Sequence, residues 1–346
     1  MAQTVKVAVV GLGSTGQAVT RLLLQTPFVK VIGAADSAPA SAGKDLGVVL
    51  GLPRRLRTKV DGAPERFIKK LRADAAVVCT SSILKEVKPQ ILGLVARRVN
   101  VLTSCEELAF PVPRRATAAR EIDREARKRK VSVLAAGLNP GFAMDALALM
   151  LTATCTGVRR VSVTRVEDAG TRRLPLQRRV GAGLSSAQFR RAVTEGTVQH
   201  VGLVESAHMI ASCLGWKLDK VDETLEPALA PRDLDTEYLR IGAGAAAGIR
   251  QSVRGYRDGE LAVNLDLQVY VGAEAPRDHI LIDADPPVEA TISGGIAGEV
   301  ATAAVFVNAL PRLLAAPPGL LTVKDLPLPH ALNPHDMSAA SSPRKR

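Results

Sequence analysis

Near the amino terminus, the run Val7-Ala8-Val9-Val10-Gly11-Leu12-Gly13-Ser14-Thr15-Gly16 constrains the fold more than any other stretch. A β-branched apolar strand enters Gly-x-Gly-x-x-Gly, and a helical pattern follows. Each glycine has a mechanical task. Gly11 permits the tight turn, Gly13 lets the backbone approach a pyrophosphate, and Gly16 lets the helix pack close to the strand. The helix directs its unpaired N–H groups and positive dipole end at the phosphates, so Ser14 and Thr15 join the glycines as expected cofactor contacts. Alone, the triplet is a weak signal. It gains force from its place after a strand, before a helix, and ahead of a second strand that ends in Asp36.

Strands are expected at 5–10, 29–35, 75–79, 99–103 and 132–135, with helices at 16–25, 83–97 and 113–130 and another closing at 67–71. Short apolar strands separated by helices imply parallel pairing through right-handed crossovers, hence a doubly wound α/β Rossmann domain. After Asn139-Pro140-Gly141-Phe142 the texture changes to alternating, half-exposed strands at 161–166, 261–271 and 288–292, with helical stretches around 187–195 and 202–214. This predicts a second α+β domain with an open, largely antiparallel sheet and helices on one face. The expected division is a dinucleotide-binding domain at 1–140 and a substrate domain at 141–298, to which the resemblance given below adds dimerisation. A helix and arm at 299–329 return to the first domain, and 330–346 form a flexible tail.

With 346 residues the chain can bury two cores, and 47% apolar against 3% aromatic residues means cores of Ala, Val and Leu. The formal charge of +12 invites a nucleic-acid reading. The bases, however, are scattered through segments such as 54–59 and 120–130 with no interleaved aromatics for stacking, so no nucleic-acid partner is expected. Cys79, Cys105, Cys155 and Cys213 are widely separated and form no Cys-x-x-Cys pair, so neither a metal site nor a disulfide framework is expected. The first strand begins too early to leave room for a signal peptide, and no apolar run reaches the roughly 18–20 residues that span a bilayer. A cytoplasmic protein without membrane contact is expected.

In a doubly wound sheet the ligand lies beyond the carboxyl ends of the strands. There Asp36 can accept hydrogen bonds from the adenosine ribose and would repel a 2′-phosphate, which favours NAD(H). Ser37 follows where an NADP(H) site often carries Arg, yet Lys44, Arg54 and Arg55 keep NADP(H) open. Thr80 and Ser81 suit passage beneath the ribose and phosphates, and Ser81 and Ser82 equally suit a helix start. After the fourth strand stand Glu106 and Glu107. Acids at a helix start complement its dipole. A carboxylate beside a nicotinamide can also hold a substrate ammonium, take its proton and balance the iminium charge left by hydride loss. An alcohol has no need of that charge; an amine does. Asn139 can bond the nicotinamide carboxamide while Pro140 fixes the turn, and Phe142, Arg173 and His200 are the candidate substrate contacts, although a lone histidine also serves structurally. Cys105 as an acylating nucleophile would need a nearby base, and its neighbours are two acids, so it is read as a packing residue. The Tyr-x-x-x-Lys pair of short-chain alcohol dehydrogenases is absent: Tyr238, Tyr256 and Tyr270 are followed four places on by Gly242, Glu260 and Glu274.

Three motifs are more specific than the glycine triplet: Thr103-Ser104-Cys105-Glu106-Glu107-Leu108, Gly137-Leu138-Asn139-Pro140-Gly141-Phe142 and Gly294-Gly295-Ile296-Ala297-Gly298-Glu299. With the stretch 307–320 they resemble the 2,4-diaminopentanoate dehydrogenase family, which includes the native amine dehydrogenases. The similarity runs from the fingerprint to about Pro329. The resemblance implies an NAD(P)-dependent enzyme that interconverts an amine with a ketone or aldehyde plus ammonia. It also implies a fold akin to dihydrodipicolinate reductase and a homodimer joined through the second-domain sheets. The family's catalytic glutamate falls within Glu106-Glu107 and is placed at Glu106, with Glu107 as second choice. Dihydrodipicolinate reductase itself is disfavoured, because its His-His-x-x-Lys signature occurs nowhere. One alternative is a diamine or amino-acid dehydrogenase, for which Glu167, Arg172 and Arg173 supply an acid and two bases. Another is a non-catalytic dinucleotide-binding regulator, against which Glu106 and Asn139 argue.

Overall fold

The computed structural model describes residues 4–331, so most of the expected tail, from 332 on, lies outside the described residues. In chain order come β1 (Val5–Val10), α1 (Ser14–Leu24), β2 (Val29–Ala35), α2 (Leu46–Val49), α3 (Pro64–Lys70), β3 (Ala75–Val78), α4 (Leu84–Ala96), β4 (Asn100–Thr103), α5 (Ala116–Arg129) and β5 (Ser132–Ala135). Next are α6 (Ala146–Thr152), β6 (Thr156–Asp168), α7 (Leu174–Arg179), α8 (Ser186–Thr194), α9 (Leu203–Cys213), β7 (Lys220–Leu229), β8 (Leu234–Asp235) and β9 (Arg240–Ile241). β10 (Ala246–Arg257), β11 (Glu260–Tyr270), β12 (Arg277–Asp285), β13 (Val288–Ser293), α10 (Gly298–Ala315) and β14 (Gly319–Leu321) complete the order. The chain divides into two compact units, one holding the chain up to Gly141 and again from Ala297, the other Phe142–Ile296.

The first unit is a six-stranded sheet in the order β14-β5-β4-β3-β1-β2, every pair parallel. β3 and β5 are buried along their whole length, as parallel strands covered on both faces must be. One face is covered by α4 and α5 through Leu84, Val87, Ile91, Leu94, Ile122 and Ala126. The other is covered by α1 and α10 through Val19, Leu23, Phe306, Leu310 and Leu313. The sixth strand, β14, has no signature in the sequence. Three residues are too few to show a period of two, and they are extended because β5 offers a parallel edge from Gly319↔Ser132 to Leu321↔Leu134. By length and composition the 18-residue α10 could cross a membrane, contrary to the expectation that no run is long enough. Here its apolar stripe is part of the core.

The second unit carries a sheet in the order β13-β12-β6-β11-β10-β7, in which only β6–β11 is parallel. Val161, Val163, Leu265, Leu267, Ile280 and Ile282 are buried on one face, and α9 buries Leu203, Ala207 and Ile210 in the same unit's core. On the opposite face Ser162, Thr164, Ser252, Asn264, Asp266 and His279 are half-exposed. The alternating pattern thus has the expected physical cause: one face dry, one face wet. Sequence periodicity located β6, β11 and β13 but not β7, β10 and β12, whose apolar residues are interrupted by charges.

Candidate active site

At the turn after β1, Gly11 has φ +91°, and a Cβ there would stand 2.5 Å from the Cys79 carbonyl oxygen. A Cβ on Gly16 would stand 2.0 Å from the Gly11 carbonyl oxygen. These two glycines are demanded by the backbone itself. Gly13 differs: a Cβ there would meet no protein atom within 4 Å, so its open side is space for something outside the chain. Gly13 is also the N-cap of α1 and supplies no side-chain cap, so the first N–H groups of the helix, at Ser14 and Thr15, receive no bond from it. Asp36, at the end of β2, completes the cradle. Its Oδ2 accepts from the Leu12 N–H at 2.6 Å and its Oδ1 from the Ala38 N–H at 2.7 Å, which fixes the carboxylate beside the loop. Ser37 is exposed next to it. These residues fit a dinucleotide pyrophosphate and ribose.

The loops after β3, β4 and β5 share that edge of the sheet. Each continues the ladder by one bond: Cys79 N–H to Val10, Ser104 N–H to Val78, Ala136 N–H to Thr103. Thr80 donates to Gln90 Oε1 at 2.8 Å. Ser81 donates to Glu86 Oε2 and accepts from the Ile83 N–H at 3.1 Å, so it supports the start of α4. Asn139 is half-buried and precedes Pro140 across a cis peptide bond.

The two glutamates part company. Glu107 Oε2 accepts from the Leu84 N–H at 2.8 Å, at the first turn of α4. Its Oε1 is ion-paired with Arg115, and both side chains keep only 13% of their surface exposed. Glu107 therefore binds two structural elements together. Glu106 is half-buried, and its charge reaches the thiols of both Cys79 and Cys105. Burial first, and the Glu106 and Glu107 charges after it, push Cys105 up to about 12. Cys105 is fully buried in the core shared with α4 and α5, the place of a packing residue.

In the second unit, Phe142 is half-buried and Arg173 stands at the N-cap of α7. A buried charge cluster that the sequence did not reveal lies on β6 and β12. Arg165, 1% exposed, pairs with Asp278 and with Glu167 Oε1 and donates to the Ile296 carbonyl at 2.6 Å. Asp278 Oδ2 accepts from the Ile296 N–H at 2.7 Å, and Arg172 takes Glu167 Oε2. Both oxygens of Glu167, the acid a diamine enzyme would call on, are thus held by guanidinium groups. His200 is half-buried with Nδ1 2.9 Å from Gln251 Oε1. Burial, then the nearby Arg179 charge, lowers its imidazole to about 4. It is Arg179 at the end of α7, rather than Arg173 at its start, whose charge acts on that ring. Among the described residues no group of three or more His, Cys, Asp or Glu is gathered as a metal site, and the four cysteines are free thiols.

The first unit defines the class of protein: a dehydrogenase dependent on a nicotinamide dinucleotide, with acidic residues at a strand end of the sheet that carries the cofactor's loop. Residues 142–341 match the model of the 2,4-diaminopentanoate dehydrogenase C-terminal domain. A 2,4-diaminopentanoate dehydrogenase of Acetoanaerobium sticklandii is 33% identical over 341 residues, covering 95% of each chain. An amine dehydrogenase of Streptomyces virginiae is 24% identical over 93% of this chain and 96% of its own. The amine dehydrogenase structure from Mycobacterium smegmatis shares the fold, with a TM-score of 0.84 at 21% identity over 95% of this chain and 98% of that one. The chain belongs to the 2,4-diaminopentanoate dehydrogenase family.

Proposed function

We propose that the protein is an NAD(P)-dependent amine dehydrogenase, interconverting an amine with a ketone or aldehyde plus ammonia, and that Glu106 is its catalytic carboxylate. One observation supports the choice of residue: the Glu106 charge acts on Cys79 and Cys105 at the ends of β3 and β4, where the dinucleotide is expected, while Glu107 ties Leu84 to Arg115. When bound, the nicotinamide accepts a hydride from the amine carbon or returns one to the iminium carbon. Glu106 takes the proton that the substrate ammonium must lose before its nitrogen can help expel hydride. Once it has released that proton to solvent, the carboxylate balances the iminium cation, takes a proton from the water that attacks its carbon and hands it to the departing nitrogen. Ammonia leaves as the carbonyl forms.

Gly11, Gly13, Ser14, Thr15 and Gly16 are assigned to the pyrophosphate, Thr80 and Ser81 to the passage of the ribose, and Asn139 with Pro140 to the nicotinamide. Phe142, Arg173 and His200 are assigned to substrate. The fixed carboxylate of Asp36 supports NAD(H) over NADP(H), and kcat/KM with the two reduced cofactors is expected to differ by at least about tenfold. Equal values would overturn that preference. The half-exposed polar face of the second sheet supports a homodimer through that face, and the free thiols accord with a cytoplasmic site. The decisive experiment is Glu106→Gln. Reduced-cofactor binding, followed by its fluorescence, is expected to stay within about twofold, while reductive amination of ketones with ammonia falls by a factor on the order of 100 or more. Turnover equal to that of the unaltered enzyme would remove Glu106 from the mechanism.

A further inference from the structure

Gln251 lies on β10, 3% exposed, and its amide is fixed from both ends. Its Nε2 donates to the His200 carbonyl at 3.1 Å and to Glu223 Oε1 on β7 at 2.7 Å. Both partners are acceptors, so the amide nitrogen must point toward them and the amide oxygen away. That oxygen stands 2.9 Å from His200 Nδ1. An amide oxygen only accepts, so Nδ1 carries the proton and, in a neutral ring, Nε2 keeps its lone pair. We infer that Gln251 and Glu223 are positioning residues which hold His200 in its Nδ1–H form, so that Nε2 offers the substrate amine a fixed hydrogen-bond acceptor.

The surroundings explain why a neutral acceptor would serve here. The charged groups acting on the ring are Arg179 from α7 and Arg165 and Glu167 from β6, with Glu223 of β7 behind Gln251. Burial first and Arg179 next keep the imidazole neutral; the Gln251 bond and Glu167 oppose them, and Arg165 adds the smallest push in the lowering direction. The carboxylates of Glu167 and Asp278 are already held by Arg165, Arg172 and the Ile296 N–H. A lone pair on a neutral ring can orient an N–H without adding a negative charge that would favour the unreactive ammonium over the amine. The inference rests on the assignment of His200 to substrate under the proposed function.

The test uses the full-length enzyme, with histidine labelled by nitrogen-15 and the His200 signals identified by their loss in His200→Gln. Between about pH 6 and 8 the spectrum is expected to show a protonated Nδ1 and an unprotonated Nε2. Gln251→Leu removes the acceptor at Nδ1. It is expected to release the Nε2–H tautomer and raise KM for the amine about tenfold, roughly the worth of one hydrogen bond to a buried partner. Cofactor affinity should stay within about twofold. Glu223→Gln keeps an acceptor oxygen opposite Gln251 and should preserve both tautomer and KM. Should Gln251→Leu fail to fold, Glu223→Leu at the exposed end of the chain of bonds is expected to move both readouts in the same direction by less. An Nε2–H ring in the unaltered enzyme overturns the inference. So does an unchanged amine KM in Gln251→Leu with the tautomer released. The spectrum needs no turnover, so failure of the Glu106 assignment would leave this result readable.

Discussion

At the scale of a residue, Glu107 shows what one side chain can decide: it ties the start of α4 to Arg115. Glu107→Ala leaves the Leu84 N–H and the Arg115 guanidinium without their shared partner, both at low exposure. Urea unfolding is expected to show a loss of about 2 kcal/mol, because groups already desolvated lose a charged acceptor. Glu106→Gln is expected to change stability by less than about 0.5 kcal/mol while abolishing most turnover. A Glu107→Ala protein as stable as the unaltered one would remove the structural assignment of Glu107. The pair of acids at a strand end was legible in the sequence. Which one is consumed was not, since that depends on Leu84 and Arg115, 23 and 8 residues away.

At the scale of an element, the β1–turn–α1 unit separates the tasks of its glycines. Gly16→Ala puts a methyl 2.0 Å from a backbone oxygen, so helix and strand must move apart. The expected loss is several kcal/mol, of the size seen when a packed core is overfilled. Gly13→Ala meets no protein atom and keeps an ordinary backbone conformation, φ −64°. Its folding stability is expected within about 0.5 kcal/mol of normal, but the dissociation constant for reduced cofactor should rise about tenfold or more as the methyl fills the pyrophosphate's space. Equal cofactor affinity would show that the open side of Gly13 holds nothing. This unit was readable because strand period, glycine spacing and helix period coincide within one short stretch of chain, Val5 to Leu24. β10 was not, for its Gln251, set between Arg250 and Ser252 in the sequence, looks like a surface residue until Glu223 and His200 are brought to it.

For the whole molecule, pH reports on groups whose protonation differs between the folded and unfolded chain. His200 titrates near 6.5 when unfolded and about 4 when folded. Between those values the unfolded chain binds the proton more readily, so folded stability falls as pH drops from about 6.5 to about 4 and levels off below. The loss amounts to at most about 3 kcal/mol. His200→Gln should flatten that slope in denaturant unfolding at pH 7 and 4.5; an unaltered slope would mean that His200 is not held neutral. Asp45 and Asp61 act in a separate window. The Leu56 N–H, for Asp45, and the Ala63 N–H with Arg66, for Asp61, hold these carboxyls below 3.8, so their contribution is lost only as pH falls below that value.

The amino-acid sequence by itself determined the class of cofactor, the parallel sheet of the first unit, the change to a largely antiparallel one, and the pair of acids that follows β4. These are properties of local spacing: a glycine triplet, a period of two or of 3.6, an acid at a strand's end. Tertiary structure alone decided which glutamate is spent on holding α4, that a sixth parallel strand closes the first sheet, and that Arg165 and Asp278 form a buried pair across β6 and β12. It also brought Gln251 and Glu223 to His200. Each of these depends on a hydrogen-bond partner or strand edge supplied from a distant part of the chain, and the energy of a buried polar group is set by that partner rather than by its neighbours in sequence.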